Sequence, residues 1–360
     1  MRHLLKLTTT FALTLVLTAG MAFGQSNSAT VTQTGQGSNA TVDQQGQENS
    51  AGLEQLDFFK GQHEATIEQE GDGNVADSRQ QGSFQELDLL QVGDDNEATT
   101  TQFSWKTDTD VEQRGDRNDA LVLHHGGRDF TESFITQTGD DNRAEIRQTS
   151  DNPGGSNWSA DISQNGNENE AYVDQTTTVN GVDHSAEITQ NGDGNYTDVL
   201  QEQSGNSFTQ RMTGGNDNDV TIDQLSADNN ASVEIWGDEN NVNVTNKASG
   251  GNNRLYLNMR GTGPGADGPS GAVDNNDFDL TTEGSGNLVD AGISGQGNDV
   301  DVLQQGSNNV VDGSTAGPFD ADGLQINGDG NVVNISQFSD MNSATVTVSG
   351  SSNTATVTQN

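Results

Sequence analysis

Glutamine and asparagine recur along this chain at intervals that would let their amides act in concert. Gln137 is followed by Gly139, Asn142, Ala144, Ile146 and Gln148. Gln164 leads Gly166, Asn169, Ala171, Val173 and Gln175, and Gln190 leads Gly192, Asn195, Thr197, Val199 and Gln201, at the same offsets. Upstream, Gln33 leads Gly35, Ser38, Ala40, Val42 and Gln44, and Gln44 leads Gly46, Asn49, Ala51, Leu53 and Gln55. Asn353, Ala355, Val357 and Gln359 repeat the phase at the far end. The unit is Q-x-G-x-x-N-x-A-x-V-x-Q with a step of 11 residues. A primary amide carries two N–H donors and a carbonyl acceptor, so amides held at one depth can satisfy one another in a ladder. A lone buried amide costs about 1–3 kcal/mol, and a ladder removes that cost while fixing register. This is structural chemistry rather than turnover.

Other reactive groups are few. His124 falls in a glutamine slot of the repeat, which makes it a core substitution. A metal pair of His124 and His125 with Asp129 is the alternative. Acidic pairs such as Asp140–Asp141 lie between units as solvated turns, where divalent cations would bind weakly. No G-x-S-x-G, H-E-x-x-H or phosphate-loop pattern occurs. No catalytic residue, cofactor site or metal site is assigned.

The elements that would hold the amides in line are strands. Asn, Ala, Val and Gln occupy alternate positions, and a period of two places them on one face. In the stretch from Asn142 to Gln148, Arg143, Glu145 and Arg147 then point to water. Between strands lies x-G-x-x, as in Thr138-Gly139-Asp140-Asp141, whose residue types tolerate the positive φ of a tight turn. One unit is therefore a strand and a turn, and two units make a rung of 22 residues. Rungs stacked at about 4.8 Å give an all-β solenoid of two facing parallel sheets. A thin core of Ala and Val explains why hydrophobic residues make up only 29% of the chain, a share that would otherwise suggest disorder.

The net charge of −40 excludes nucleic acid and anionic membranes as partners. No cysteine is present to form a disulfide. Residues 1–24 combine Arg2 and Lys6, a short apolar run from Leu7 and the small residues Ala22 and Gly24, which read as a secretory signal peptide. The expectation is an exported chain at the cell surface or beyond, with residues 25–360 forming the solenoid.

The repeat resembles the curlin repeat of curli fibre subunits, in about two dozen units of varying quality. That resemblance implies secreted subunits that polymerise by cross-β stacking into fibres for biofilm matrix, adhesion and surface colonisation, as major subunit or nucleator. It implies self-association as a homopolymer, with related subunits or a nucleator and a secretion channel as further partners. Residues Gln137, Gly139, Asn142, Ala144 and Gln148 would take the ladder and turn roles. The chain departs from the family in its length, its acidity and the lack of a glycine-rich stretch before the first repeat.

Longer steps occur at Leu56–Gln62, Ser150–Ser156, 261–273 and Ser314–Gly323; all are expected at turns, and 261–273 is a candidate hinge. The regular unit from Thr354 to Gln359 shows no capping signal, so it would template another copy. The rival readings are a monomeric secreted solenoid adhesin and a calcium-binding β-roll, the latter built on a nine-residue G-G-x-G-x-D step that this sequence lacks.

Overall fold

Alternation of inward and outward residues has its expected consequence along the whole chain. The computed structural model describes residues 26–35, 37–57, 62–126, 130–150, 157–177, 183–235, 237–247, 251–259, 275–311 and 324–360. These form strands β1 to β29 and, among the described residues, no helix. Odd-numbered strands, from β1 (Ser28–Thr34) through β11 (Arg143–Ser150) to β23 (Asp299–Gln305), build sheet one, which closes with β26 (Val332–Gln337) and β29 (Thr354–Gln359). Even-numbered strands, from β2 (Asn39–Gln45) through β14 (His184–Asn191) and β16 (Ser207–Thr213) to β22 (Leu288–Ser294), build sheet two. Every pairing is parallel; up to β22 each strand lies against the one two places on and from β23 against the one three places on, so the chain winds as a solenoid.

Register holds residue for residue. Ala144 lies beside Ala171, Ile146 beside Val173 and Gln148 beside Gln175. The offset between paired residues is 22 wherever no insertion intervenes, as from Gln33 to Gln55, and rises to 36 from Asn240 to Asn276. Insertions lengthen a rung without disturbing the columns. Both sheets pair across residues 260–274, with Asn241 beside Asp277 and Arg254 beside Leu288; the candidate hinge itself lies outside the described residues.

The core is the slot between the sheets. Ala, Val, Ile and Leu at the expected positions are buried, and bulkier Phe208 fits between Ala186 and Ala231. Where the second residue after the glutamine turns at a φ above 100°, it is glycine, and no side chain fits. Gly139 sits at φ 114°, and a Cβ there would lie 2.0 Å from the carbonyl oxygen of Gly166 in the next rung. Two positions later the chain turns left-handed again, but more gently. Asp141, Arg117 and Glu168 adopt φ of 56–58° there, a region that side chains can enter at modest cost.

One expectation requires correction. The insertion at Ser314–Gly323 does not fall at a turn. It interrupts a strand: Val311 of β24 (Val310–Val311) pairs with Val289, and Leu324 of β25 (Leu324–Asn327) pairs with Ala291 of the same β22. The skipped partner, Asp290, lies between the inward-facing Val289 and Ala291, so the chain leaves and re-enters at an outward position. Above it, β27 (Ser343–Ala344) and β28 (Val346–Ser349) continue the two halves.

Candidate functional site

The polar side chains inside the slot form columns that run the length of the molecule. In sheet one an asparagine ladder is unbroken from Asn27 to Asn353. Asn142 shows what each member does. Its backbone N–H and its Nδ2 both donate to Asn118 Oδ1, at 3.1 and 3.0 Å, and Nδ2 also donates to the Gly166 carbonyl at 2.8 Å. The asparagine thus closes its own rung and grips the turn glycine of the next, as Asn169 does on Gly192 and Asn49 on Gly71.

Glutamines close the other end of the strand. Gln137 Nε2 donates one hydrogen to the Asp119 carbonyl across the slot at 3.1 Å and the other to Gln164 Oε1 at 3.0 Å. The pattern links Gln44 to Gln190 in sheet two. In sheet one it links Gln33 to Gln102, Gln148 to Gln224, and Gln304 to Gln359. Of the sequence-assigned residues, Gln55, Gln175, Gln201 and Asn195 are fully buried members, while Ala355 and Gln359 sit half-buried on the outermost strand and Asn353 is exposed just before it. Ala51, Ala144, Ala171, Ile146 and Val173 fill the apolar floor between the two columns, and Gly46, Gly139, Gly166 and Gly192 make the turns.

At two breaks in the ladders a hydroxyl from the facing sheet takes the missing partner's place, whereas Gln304, beside Thr282, keeps an unbonded Oε1. His124 interrupts the sheet-one column between Gln102 and Gln148. Gln102 Nε2 then donates to Thr109 Oγ1 at 2.8 Å. On the other side Ser133 Oγ donates to Gln148 Oε1 at 3.2 Å and sits 2.7 Å from His124 Nε2. That assigns the proton to Nε2 and leaves Nδ1 bare and buried. Burial pushes the His124 pKa down to about 3. In sheet two the glutamine column stops at Gln190, and its Nε2 donates to Thr197 Oγ1 at 3.0 Å. Thr109 and Thr197 each lie seven residues after the amide they catch, at a position where intact units carry alanine. Sequence reading missed these hydroxyls, although that offset was the available signal.

Beyond Gln190 sheet two changes character. Its glutamine slot holds Met212, Ile235, Ile293, Ile326 and Val348, all buried. The slot at the start of each strand changes in the opposite sense. Through β14 it holds His63, Gln85, Thr107, Thr131, Trp158 and His184, with Trp158 and His184 edge to face at 5.5 Å. From Asn206 to Asn342 it becomes an asparagine ladder. At the changeover Gln210 occupies an aliphatic slot between Ile188 and Val233, buried, with neither amide atom hydrogen-bonded.

The outer faces are acidic. In the columns of Glu86, Asp108 and Asp110, carboxyl pKa values are raised by partial burial first and by neighbouring carboxylates second. His125 points outward while His124 points inward, and Asp129 lies outside the described residues, so the candidate metal pair does not converge on the residues seen. Among the described residues no group of three or more His, Asp or Glu is placed to hold a metal ion.

A parallel β-solenoid with in-register amide ladders defines the class: a repeat scaffold whose conserved-looking residues serve stacking. The family model for the curlin associated repeat matches residues 108–149, 155–189 and 328–360. Over those three stretches the chain carries curlin associated repeats. No curated protein matches it.

Proposed function

We propose that this chain is the structural subunit of an extracellular curli-type fibre and that it polymerises by adding solenoid to solenoid end on. The observation that carries this reading is the state of the outermost described strands. Each of β1 and β29 pairs on one side only among the described residues, and their inward residues Ala29, Val31, Ala355 and Val357 are only partly buried. A parallel strand edge with in-register side-chain slots is a template for the same sequence. The residue chemistry supports a scaffold role rather than catalysis.

Residues 1–24 act in this reading as the export signal. Outside the cell the fibre serves matrix formation, adhesion and surface colonisation, alongside related subunits or a nucleator. The negative charge opposes docking by roughly 0.4 kcal/mol per carboxylate pair at about 10 Å in water, before screening. Each backbone hydrogen bond gained contributes about 1 kcal/mol, so stacking wins and salt assists it.

Purified residues 25–360 should convert to fibres that bind thioflavin and show a meridional reflection near 4.8 Å, growing faster in added NaCl or CaCl2. A chain that stays a single particle at high concentration under those conditions refutes the proposal. A particle that melts on chelation would instead favour a calcium-dependent β-roll.

A further inference from the structure

The amide columns have a direction. Within a ladder each glutamine donates forward to the next rung and spends its second hydrogen on a carbonyl of the facing strand, as Gln55 does to Gln80 and to Asn39. Gln359 keeps the second habit, donating to the Ser343 carbonyl at 2.8 Å, which leaves one N–H for a rung beyond. At the opposite face Gln33 donates to Gln55, and its Oε1 has no donor among the described residues. Asparagines donate backward: Asn353 donates to Asn331 Oδ1, and its own Oδ1 is the acceptor for whatever follows. A second copy laid with β1 on β29 therefore completes both columns of sheet one, Gln359 to Gln33 and Asn27 to Asn353.

Sheet two does not close in the same way. The same docking lays β2 on the rung of β27 and β28 and sets Gln44 over Val348, because the glutamine column became aliphatic far below. Gln44 donates to Gln69 and to the Ser28 carbonyl, so the group facing Val348 is its acceptor, Oε1. Inside the chain there are two equivalent cases: Gln148 above His124, whose Oε1 takes a hydrogen from Ser133, fifteen residues earlier, and Gln304 above Thr282, whose Oε1 goes unbonded because Val289 stands fifteen residues earlier. Fifteen residues before Gln44 stands Ala29, in the matching slot of the preceding strand, with no hydroxyl to give.

We infer that the joint between two copies of this chain is carried by sheet one, through Gln359–Gln33 and Asn353–Asn27, and that Gln44 over Val348 is a built-in misfit that limits its strength. This rests on the end-on assembly proposed above.

Ala29→Ser supplies the missing hydroxyl in the geometry Ser133 uses, without touching either column. Ala29 is only partly buried in the single molecule, so the variant should melt like the parent. Its critical concentration for fibre growth should fall about fivefold, the worth of one hydrogen bond. Gln359→Leu should raise it about tenfold. Parent fibres whose critical concentration is unmoved or raised by Ala29→Ser, or unmoved by Gln359→Leu, overturn this inference and leave the assembly reading standing. Absence of fibres from the parent chain defeats the assembly reading itself.

Discussion

Sheet two is two sheets in sequence. Up to β14 its strands carry a glutamine ladder at their ends, while their starts hold an assortment of His, Thr, Gln and Trp. From β16 onward the starts carry an asparagine ladder and the ends are aliphatic. Sheet one keeps its asparagine ladder throughout and most of a glutamine ladder as well. The contrast shows that a parallel strand here needs one amide column to hold register, and that either end of the strand will serve. The position of the ladder follows the turn: where the turn entering a sheet-two strand regains its tight asparagine ending, as at Asn206, Asn229 and Asn287, the asparagine takes over and the glutamine is dispensable.

Cutting either ladder tests whether the two are equivalent. Gln137→Leu strands the Nε2 of Gln113 and the Oε1 of Gln164, and Asn253→Leu strands the backbone N–H of Asn287 and frees the Gly284 carbonyl. Each should cost about 2–4 kcal/mol, as two buried groups lose partners. Met212→Leu in the aliphatic run should cost under about 1.5 kcal/mol. Urea midpoints followed by circular dichroism check this, and a Gln137→Leu protein as stable as Met212→Leu breaks the comparison.

The changeover itself should be the weak point. Replacing Gln210 by Leu removes an unbonded buried amide from an aliphatic column and should raise stability by about 1–3 kcal/mol. A lower melting temperature would show that Gln210 has a hidden partner.

His124 makes the single long break in the otherwise amide-rich early part of sheet one, and pH isolates it. Its folded pKa, about 3, lies below the ordinary histidine value. Between the two the unfolded chain binds the proton and the folded chain does not, so the residue destabilises the fold progressively as pH drops through about 6.5 toward 3. His184, held to about 4 by burial, acts in the same sense. The carboxyl groups of Asp108, Asp110 and Asp161 act oppositely, since their raised folded values favour the protonated native state on acidification. His124→Gln should therefore gain little at pH 7.5 and a few kcal/mol at pH 4.5, measured as the difference between two urea titrations. A gain that does not grow on acidification counts against a buried neutral imidazole.

The smallest effect is the most diagnostic. Thr197→Ala should cost about 1 kcal/mol by taking one acceptor from Gln190 Nε2, which keeps the Glu170 carbonyl. The same change made together with Met212→Gln should cost less, because Gln190 regains a ladder partner. An additive double mutant would deny the hydroxyl its compensating role.

Much of this architecture was legible in the residues alone. The eleven-residue step, the inward face and the turn glycine of the regular units follow from spacing and local stereochemistry, and Gln137, Asn142 and Gly139 stand where that reasoning puts them. What could not be read was anything that depends on which strand faces which. Thr109, Thr197 and Ser133 look like ordinary strand residues until the opposite sheet is known. The insertion at Ser314–Gly323 looks like a turn because its Gly and Pro content is that of a turn, and only pairing of Val311 and Leu324 to one strand reveals otherwise. That Met212 stands in a glutamine column, and that an asparagine column begins in the same strands, is visible only from the strand register.

The threonine seven residues beyond an interrupted glutamine also constrains history. Alanine can become threonine while the ladder is whole, at little expense, whereas losing the glutamine first leaves its neighbour stranded in the interior. Descent through the opposite order would pass by a less stable ancestor. Lineages carrying this scaffold should therefore acquire the hydroxyl before they abandon the amide, and chains with the threonine beside an intact column are the intermediates to look for.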